Sequence, residues 1–192
     1  MLELIRKIRE QTGAGVIDVK KALDEANGDE IEAVKILRKR GLEKADKKNG
    51  RETKEGLIVS YVHTNGKVAA LVKVLCETDF VARNEQFVDF VKDLAMQVAA
   101  MNPLAVSPEK IDENLVSEQK KIWLEDLKSE NKPEEIKQKI IIGKENKFRK
   151  ENSLLGQAFV KDPDRTVEDV LKEKISTIGE NIIIDSFVRM EL

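Results

Sequence analysis

Along the first 48 residues, apolar side chains recur at the three-to-four spacing of helices that cover one face. Leu4, Ile5 and Ile8 make one stripe, which Thr12-Gly13-Ala14-Gly15 interrupts. Val16, Val19, Ala22, Leu23 and Ala26 make a second, stopped at Asn27-Gly28, a pair suited to a helix C-terminus. Asp29 then stands where an N-cap belongs, with Glu32 three residues on, ahead of a third stripe of Ile31, Val34 and Leu37. The pattern predicts three short helices between Leu2 and about Lys48. A unit of that size has a small core. Lys44 to Gly56 is charged and reads as a helix tail running into a linker.

The period then changes. Leu57–Thr64 and Lys67–Cys76 are rich in β-branched and apolar residues and flank Asn65-Gly66, which predicts a hairpin with a two-residue turn. In that register His63 faces Val68, Tyr61 faces Ala70 and Val59 faces Val72. One face carries Leu57, Val59, Tyr61, Val72, Val74 and Cys76, and the other carries Ile58, Val62, Leu71 and Leu75. Both faces are apolar, so both call for cover: helices for one, a partner chain or second copy for the other. Phe87, Phe90, Val91, Leu94, Ala95, Val98 and Ala99 follow as a helical stripe ending near Asn102-Pro103.

Two charged helices are expected over Glu113–Lys132 and Glu134–Glu151, joined at Lys132-Pro133 as an antiparallel hairpin. Their narrow stripes are Leu115, Ile122 and Leu127 in one and Ile136, Ile140 and Phe148 in the other. Val167, Leu171 and Ile175 predict a last helix stopped near Gly179, and Ile182–Met190 a final strand that pairs with the hairpin. The expected fold is α+β. A three-helix domain over residues 1–50 precedes a core over 51–192, built on a small antiparallel three-stranded sheet and containing a helical hairpin at about 113–151.

Composition removes several function classes. Lys and Arg number 34 and Asp and Glu 36 in 192 residues, for a net charge of -2. A nucleic-acid binder shows a basic excess or block, and an aromatic content of 4% leaves few side chains for bases to stack on, so no direct nucleic-acid partner is expected. The longest uncharged run, Leu94–Pro108, is too short to span a bilayer, and the N-terminus lacks the continuous apolar stretch of a signal peptide. With one cysteine, Cys76, no internal disulfide can form, and a reducing cytoplasm is the expected setting.

The chain is poorly equipped for chemistry of its own. In the hairpin register His63 and Cys76 lie eight positions apart along the sheet, about 26 Å at ~3.3 Å per residue, which rules out a nucleophilic pair. One histidine and one cysteine cannot build a zinc site. No Walker-type loop is present, and Thr12-Gly13-Ala14-Gly15 lacks the preceding strand of a dinucleotide fingerprint. No catalytic residue, metal or cofactor is expected.

Attention falls on Glu77-Thr78-Asp79-Phe80-Val81-Ala82-Arg83-Asn84, where an acid and a large aromatic stand at a strand-to-helix junction. From the residues alone, Phe80 has two readings. It fills the chain's own core, the commoner fate of a junction aromatic, or it faces a partner. Asp79 likewise reads as a first-turn acid favoured by the helix dipole or as a partner contact. Cys76 reads as a small buried hydrophobe, His63 as a strand-end residue, and Gly13 and Gly15 as turn formers.

Thr12-Gly13-Ala14-Gly15 followed by Asp18 and Lys20-Lys21-Ala22-Leu23 resembles the N-terminal signature of the elongation factor Ts family. Cys76 to Asn84 is similar to that family's core signature and Ile178-Gly179-Glu180-Asn181-Ile182 to its C-terminal one, with Phe159-Val160-Lys161-Asp162 as a weaker fourth match. The motifs fall in order across nearly the whole chain. Val16, Ile17 and Val19 depart from the methionines and cysteine that many members carry, and Gly156 and Ala158 interrupt the usual run before Phe159.

The resemblance implies a guanine-nucleotide exchange factor for elongation factor Tu, the GTPase that delivers aminoacyl-tRNA. It implies a ubiquitin-associated-like N-terminal unit that docks on the GTPase's nucleotide-binding domain. It also implies a Thr78-Asp79-Phe80-Val81 segment that acts near the GTPase's magnesium site, in a compact form that can dimerise. Phe80 is then the expected wedge, with Gly13, Lys20, Lys21 and Arg83 as further expected contacts. Two rivals are a non-exchange adaptor that uses the N-terminal helices and a structural dimer built on the sheet.

Overall fold

The computed structural model describes residues 1–128 and 132–192. Three helices open the chain: α1 (Leu2–Thr12), α2 (Val16–Glu25) and α3 (Glu30–Asp46). The Asp29 carboxylate accepts the Glu32 N–H at 2.9 Å, the N-cap that the sequence predicts. At the end of α2, Gly28 N–H reaches back to the Leu23 carbonyl and Asn27 N–H to that of Asp24, a Schellman arrangement that satisfies the last-turn carbonyls.

Ile5, Ile8, Val19, Ala22, Leu23, Ala26, Ala33, Val34 and Leu37 form one core cluster among these helices. Ile31, expected in the third stripe, is instead 71% exposed. The buried position is Ala33, which shares a face with Val34 and Leu37, so a small residue takes the inward place and the larger one lies outside it.

The mixed part follows: β1 (Glu55–Val62), β2 (Val68–Cys76), a one-turn α4 (Asp79–Ala82), α5 (Glu85–Met101), α6 (Glu113–Lys128), α7 (Glu134–Glu151), β3 (Ala158–Phe159), β4 (Asp162–Thr166), α8 (Val167–Ile178) and β5 (Ile182–Glu191). The main sheet is antiparallel and runs β1-β2-β5. The C-terminal strand therefore pairs with the hairpin, as expected. His63 donates to the Val68 carbonyl at 2.8 Å, which places that pair opposite each other as the sequence predicts.

The turn differs. Gly66 N–H closes on the His63 carbonyl, so Thr64 and Asn65 occupy its centre and Gly66 follows in the left-handed region at φ 67°. Asn65 Oδ1 takes the Lys67 N–H, so the pair read as a two-residue turn serves as its second half.

The chain divides into two compact units. The first comprises Met1–Leu57, Val74–Asp89 and Asp169–Ile183. Within it the end of α8 lies against the N-terminal helices. Lys48 Nζ approaches the Ile175 carbonyl at 3.4 Å, and the Cα positions of Gly13 and Gly41 pass so close to Thr177 and Ser176 that an added Cβ would meet them.

The second unit comprises Ile58–Lys73, Phe90–Glu168 and Ile184–Leu192. Its helical hairpin, α6 against α7, is tied by Arg149 to Glu113, by Lys120 to Glu145 and by an edge-on contact of Trp123 with Phe148. The seam is shifted from the expected one. Leu127 is buried as expected, but Leu115 and Ile122 are 41% and 52% exposed and Val116 is buried instead. The end of the helix expected over Glu113–Lys132 falls partly outside the described residues.

Sequence reading also missed the short β3–β4 pair, Phe159 opposite Asp162 and Ala158 opposite Thr166. A fully buried Gln97 on α5 holds it. The Gln97 amide donates to the Gln157 side chain at 3.3 Å and the Ala158 carbonyl at 3.1 Å, and its oxygen accepts the Val160 N–H at 2.7 Å. Gln97→Leu would strand these groups in an apolar site. It is expected to lower stability by about 2–4 kcal/mol and to speed hydrogen exchange at the Val160 amide. Denaturant unfolding followed by exchange mass spectrometry measures both.

Candidate functional site

Where β2 ends, the chain leaves the sheet and must find partners for backbone groups that no longer have a neighbouring strand. Two carboxylates supply them within the first unit. Glu180 Oε2 accepts the N–H groups of Glu77 and Thr78, each at 3.0 Å, and its Oε1 accepts the Thr78 hydroxyl at 2.6 Å. In return, Glu77 Oε1 accepts the Asn181 N–H at 2.6 Å, and Asn181 Nδ2 donates to the Arg51 carbonyl at 2.9 Å. The bonds to the two carboxylates are charge-assisted, about twice as strong as neutral ones. Arg51 adds a weaker approach to Glu77 at 3.6 Å.

Thr78 is thus held at several atoms, and it is also the N-cap of α4. Its Oγ1 accepts the Val81 N–H at 3.4 Å. Its carbonyl accepts from Ala82 N–H at 3.2 Å and from the Cys76 thiol at 3.2 Å. The cap fixes which way the single turn faces. Ala82 is the buried residue of α4. Two residues earlier, about 200° around the helix at ~100° per residue, Phe80 is 81% exposed. The reading in which Phe80 fills the chain's own core is therefore set aside. A junction aromatic is presented to solvent by a turn pinned at its start.

Asp79, in the first turn of α4, is half-buried and lies 3.4 Å from Arg83 one turn on. With the Arg83 side chain 82% exposed, this pair contributes little to stability. Val81 is half-buried. Cys76 is fully buried, and its burial first, then the nearby Glu180 charge, push the thiol up to about 11. It behaves as a small hydrophobe with a hydrogen bond to give, and His63, bonded to Tyr61 at 3.1 Å, is engaged elsewhere.

The N-terminal residues occupy the same unit. Gly13 is the C-cap of α1 at φ 65°, donating to the Arg9 carbonyl, and a Cβ there would lie 2.9 Å from Thr177 Cγ2. Only glycine suits both the backbone angle and the close approach of α8. Lys20 and Lys21 are exposed on α2. Asp18, from the same motif, pairs with Lys44 of α3 at 2.8 Å, and this bond holds its carboxyl below the usual range. Val16 and Ile17 stand exposed at the start of α2.

Sequence reasoning did not single out Glu77, Glu180 or Asn181 as site residues. The available signal was that Glu180 and Asn181 sit inside one recurring motif and Glu77 inside another. Nothing in the spacing reveals that the two motifs bond to each other.

Fold and junction together define a protein that presents an exposed aromatic on a capped turn, with a three-helix part and a small sheet. Comparison with known proteins assigns it further. Residues 10–192 match the family described as Elongation factor TS. The chain is 47% identical over 190 residues to an Elongation factor Ts from Maridesulfovibrio salexigens, covering 99% of this chain and 92% of the relative. It is 50% identical to that of Thermosipho melanesiensis (97% and 95% covered) and 51% identical to that of Geotalea daltonii (98% and 87% covered). The chain belongs to the elongation factor Ts family of translation elongation factors.

Proposed function

We propose that this chain is a guanine-nucleotide exchange factor that binds elongation factor Tu·GDP, displaces Mg²⁺ and GDP, and so permits reloading with GTP. The observation that carries this reading is the 81% exposure of Phe80 on a turn fixed by its cap, inside a segment that resembles the family's core signature. The three-helix domain over residues 1–50 docks on the GTPase, with Gly13, Lys20 and Lys21 at or beside the contact, and the core over 51–192 presents Thr78, Asp79, Phe80 and Val81. The chain works in the cytoplasm, where translation takes place, and acts through binding, with no catalytic residue or cofactor of its own.

GTPases hold GDP and Mg²⁺ through a phosphate-binding loop and ordered switch segments. A factor speeds release only if it binds the nucleotide-free state better than the GDP-bound state. By linkage, it weakens GDP by the same factor by which GDP weakens it. Moving that equilibrium from 1:99 to 99:1 requires about 5.5 kcal/mol. Burying one phenylalanine contributes about 1.5–3 kcal/mol, so Phe80 supplies up to half. The remainder falls to Asp79, whose carboxylate can take donors near the metal site, to Arg83, and to the docking helices.

The exposed face of the sheet supports a homodimer. Ile58, Val62, Leu71, Val188 and Met190 all point outward within the second unit, each about half exposed or more. A second copy presenting the same face is self-complementary. Val62→Lys with Met190→Lys is expected to convert the chain to a monomer in sedimentation equilibrium, with its helical content retained. A wild-type chain that sediments as a monomer would contradict the dimer.

Exchange itself is tested by release of fluorescent GDP from elongation factor Tu. The wild-type chain is expected to accelerate release. Phe80→Ala and Asp79→Ala should each slow the accelerated rate by about 10- to 100-fold while shifting the melting temperature by less than about 2 °C. No acceleration by saturating wild-type chain would leave the adaptor or structural-dimer reading in its place.

A further inference from the structure

We propose that Glu180 is a positioning residue for exchange: its carboxylate holds Thr78 and so keeps Phe80 turned toward the partner. The inference rests on the exchange reading and names a residue that acts through the wedge without touching the GTPase's nucleotide. Glu180 stands between the end of α8 at Ile178 and the start of β5 at Ile182, while the residues it bonds lie just past the end of β2. Its two oxygens divide the work. Oε2 bridges the consecutive N–H groups of Glu77 and Thr78, and Oε1 takes the Thr78 hydroxyl proton.

The second of these bonds matters for α4. A Thr78 hydroxyl whose proton goes to Glu180 keeps a lone pair for the Val81 N–H, which is the cap of the turn that carries Phe80. Without Glu180, both N–H groups lose their acceptor and the hydroxyl is free to rotate out of its capping position. The turn then loses its side-chain cap and part of what fixes its facing. Phe80, at 81% exposure, has little packing of its own to hold its direction and depends on the turn that carries it. A wedge whose orientation must be re-ordered at each encounter is less effective, because that ordering cost is taken from the binding energy.

The geometry distinguishes reach from charge. A glutamine keeps the length: its carbonyl oxygen can replace Oε2 beneath the two N–H groups, and its amide can donate to Thr78 Oγ1, leaving the cap intact. An aspartate keeps the charge but is one methylene short of bonds that span 2.6–3.0 Å. The end of α8, just before Glu180, meets the N-terminal helices through Thr177 at Gly13.

The test measures fluorescent-GDP release from elongation factor Tu across a range of factor concentrations, for wild type, Glu180→Ala, Glu180→Gln, Glu180→Asp, Phe80→Ala and the Phe80→Ala/Glu180→Ala double variant. Glu180→Ala and Glu180→Asp are expected to lower the maximal rate about tenfold with the half-saturating concentration changed by less than about threefold. Glu180→Gln should stay within about threefold of wild type. The double variant should be no slower than Phe80→Ala alone, because Glu180 acts through Phe80. If Glu180→Ala fails to fold, the glutamine–aspartate contrast carries the result.

Full activity of Glu180→Ala, rescue by aspartate but not by glutamine, or losses that multiply in the double variant would each overturn the assignment while leaving exchange standing. No acceleration by the wild-type chain would overturn both.

Discussion

Glu77 and Glu180 lie 103 residues apart in sequence; Glu180 accepts the backbone N–H of Glu77, and Glu77 accepts that of Asn181, the residue after Glu180. This reciprocal pairing is the constraint on which the functional part of the molecule depends. It satisfies amides that leave the sheet at the end of β2, and it anchors the C-terminal segment between α8 and β5. It also fixes the threonine that caps α4. Closing a loop of that length costs entropy that grows only slowly with length, and several charge-assisted bonds at one point offset it. The carboxylates are therefore structural in the first instance, and the function proposed for them acts through what they hold in place.

What they hold is an aromatic that is 81% exposed and has little packing of its own to keep it. Many of the chain's large apolar side chains serve the cores. Phe87, Phe90 and Leu94 are fully or almost fully buried, and Ile8 and Val19 close the N-terminal helices. Phe80 is the exception among the phenylalanines, and it stands next to an acid on a turn whose facing is set by its cap. Exposing a phenylalanine gives up about 1.5–3 kcal/mol that burial would contribute. That amount is the binding energy such a residue can deliver to a partner, and a pre-oriented side chain delivers more of it.

Much of the fold was legible in the sequence. The first three helices follow from Asp29, Asn27-Gly28 and the 3.6-residue stripes, and the sheet from β-branched runs with a central turn pair. What escaped was tertiary. Ile31 and Ala33 compete for one inward place, and only packing with α1 and α2 decides for the alanine. Gln97 sits in an apolar stripe and finds its partners some 60 residues away, and β4 carries Pro163 and no apolar alternation, so no local pattern marks it. For the candidate site, motif resemblance located Thr78 to Val81. The exposure of Phe80 was not legible, since a junction aromatic is ordinarily packed, and Glu180 is one acid among 36 Asp and Glu until its bonds to Thr78 are seen.

The central claim is that Phe80 is solvent-exposed in the isolated chain and becomes buried in the nucleotide-free GTPase. Fluorine NMR on chain labelled with 4-fluorophenylalanine reads this directly, with the residue-80 signal among the six phenylalanines identified by its loss in Phe80→Leu. The account predicts a solvent-exposed signal at position 80 in the free chain that shifts and loses its solvent isotope effect on binding nucleotide-free elongation factor Tu. It also predicts that excess GDP restores the free signal. A residue-80 signal that stays solvent-exposed in the complex would contradict it.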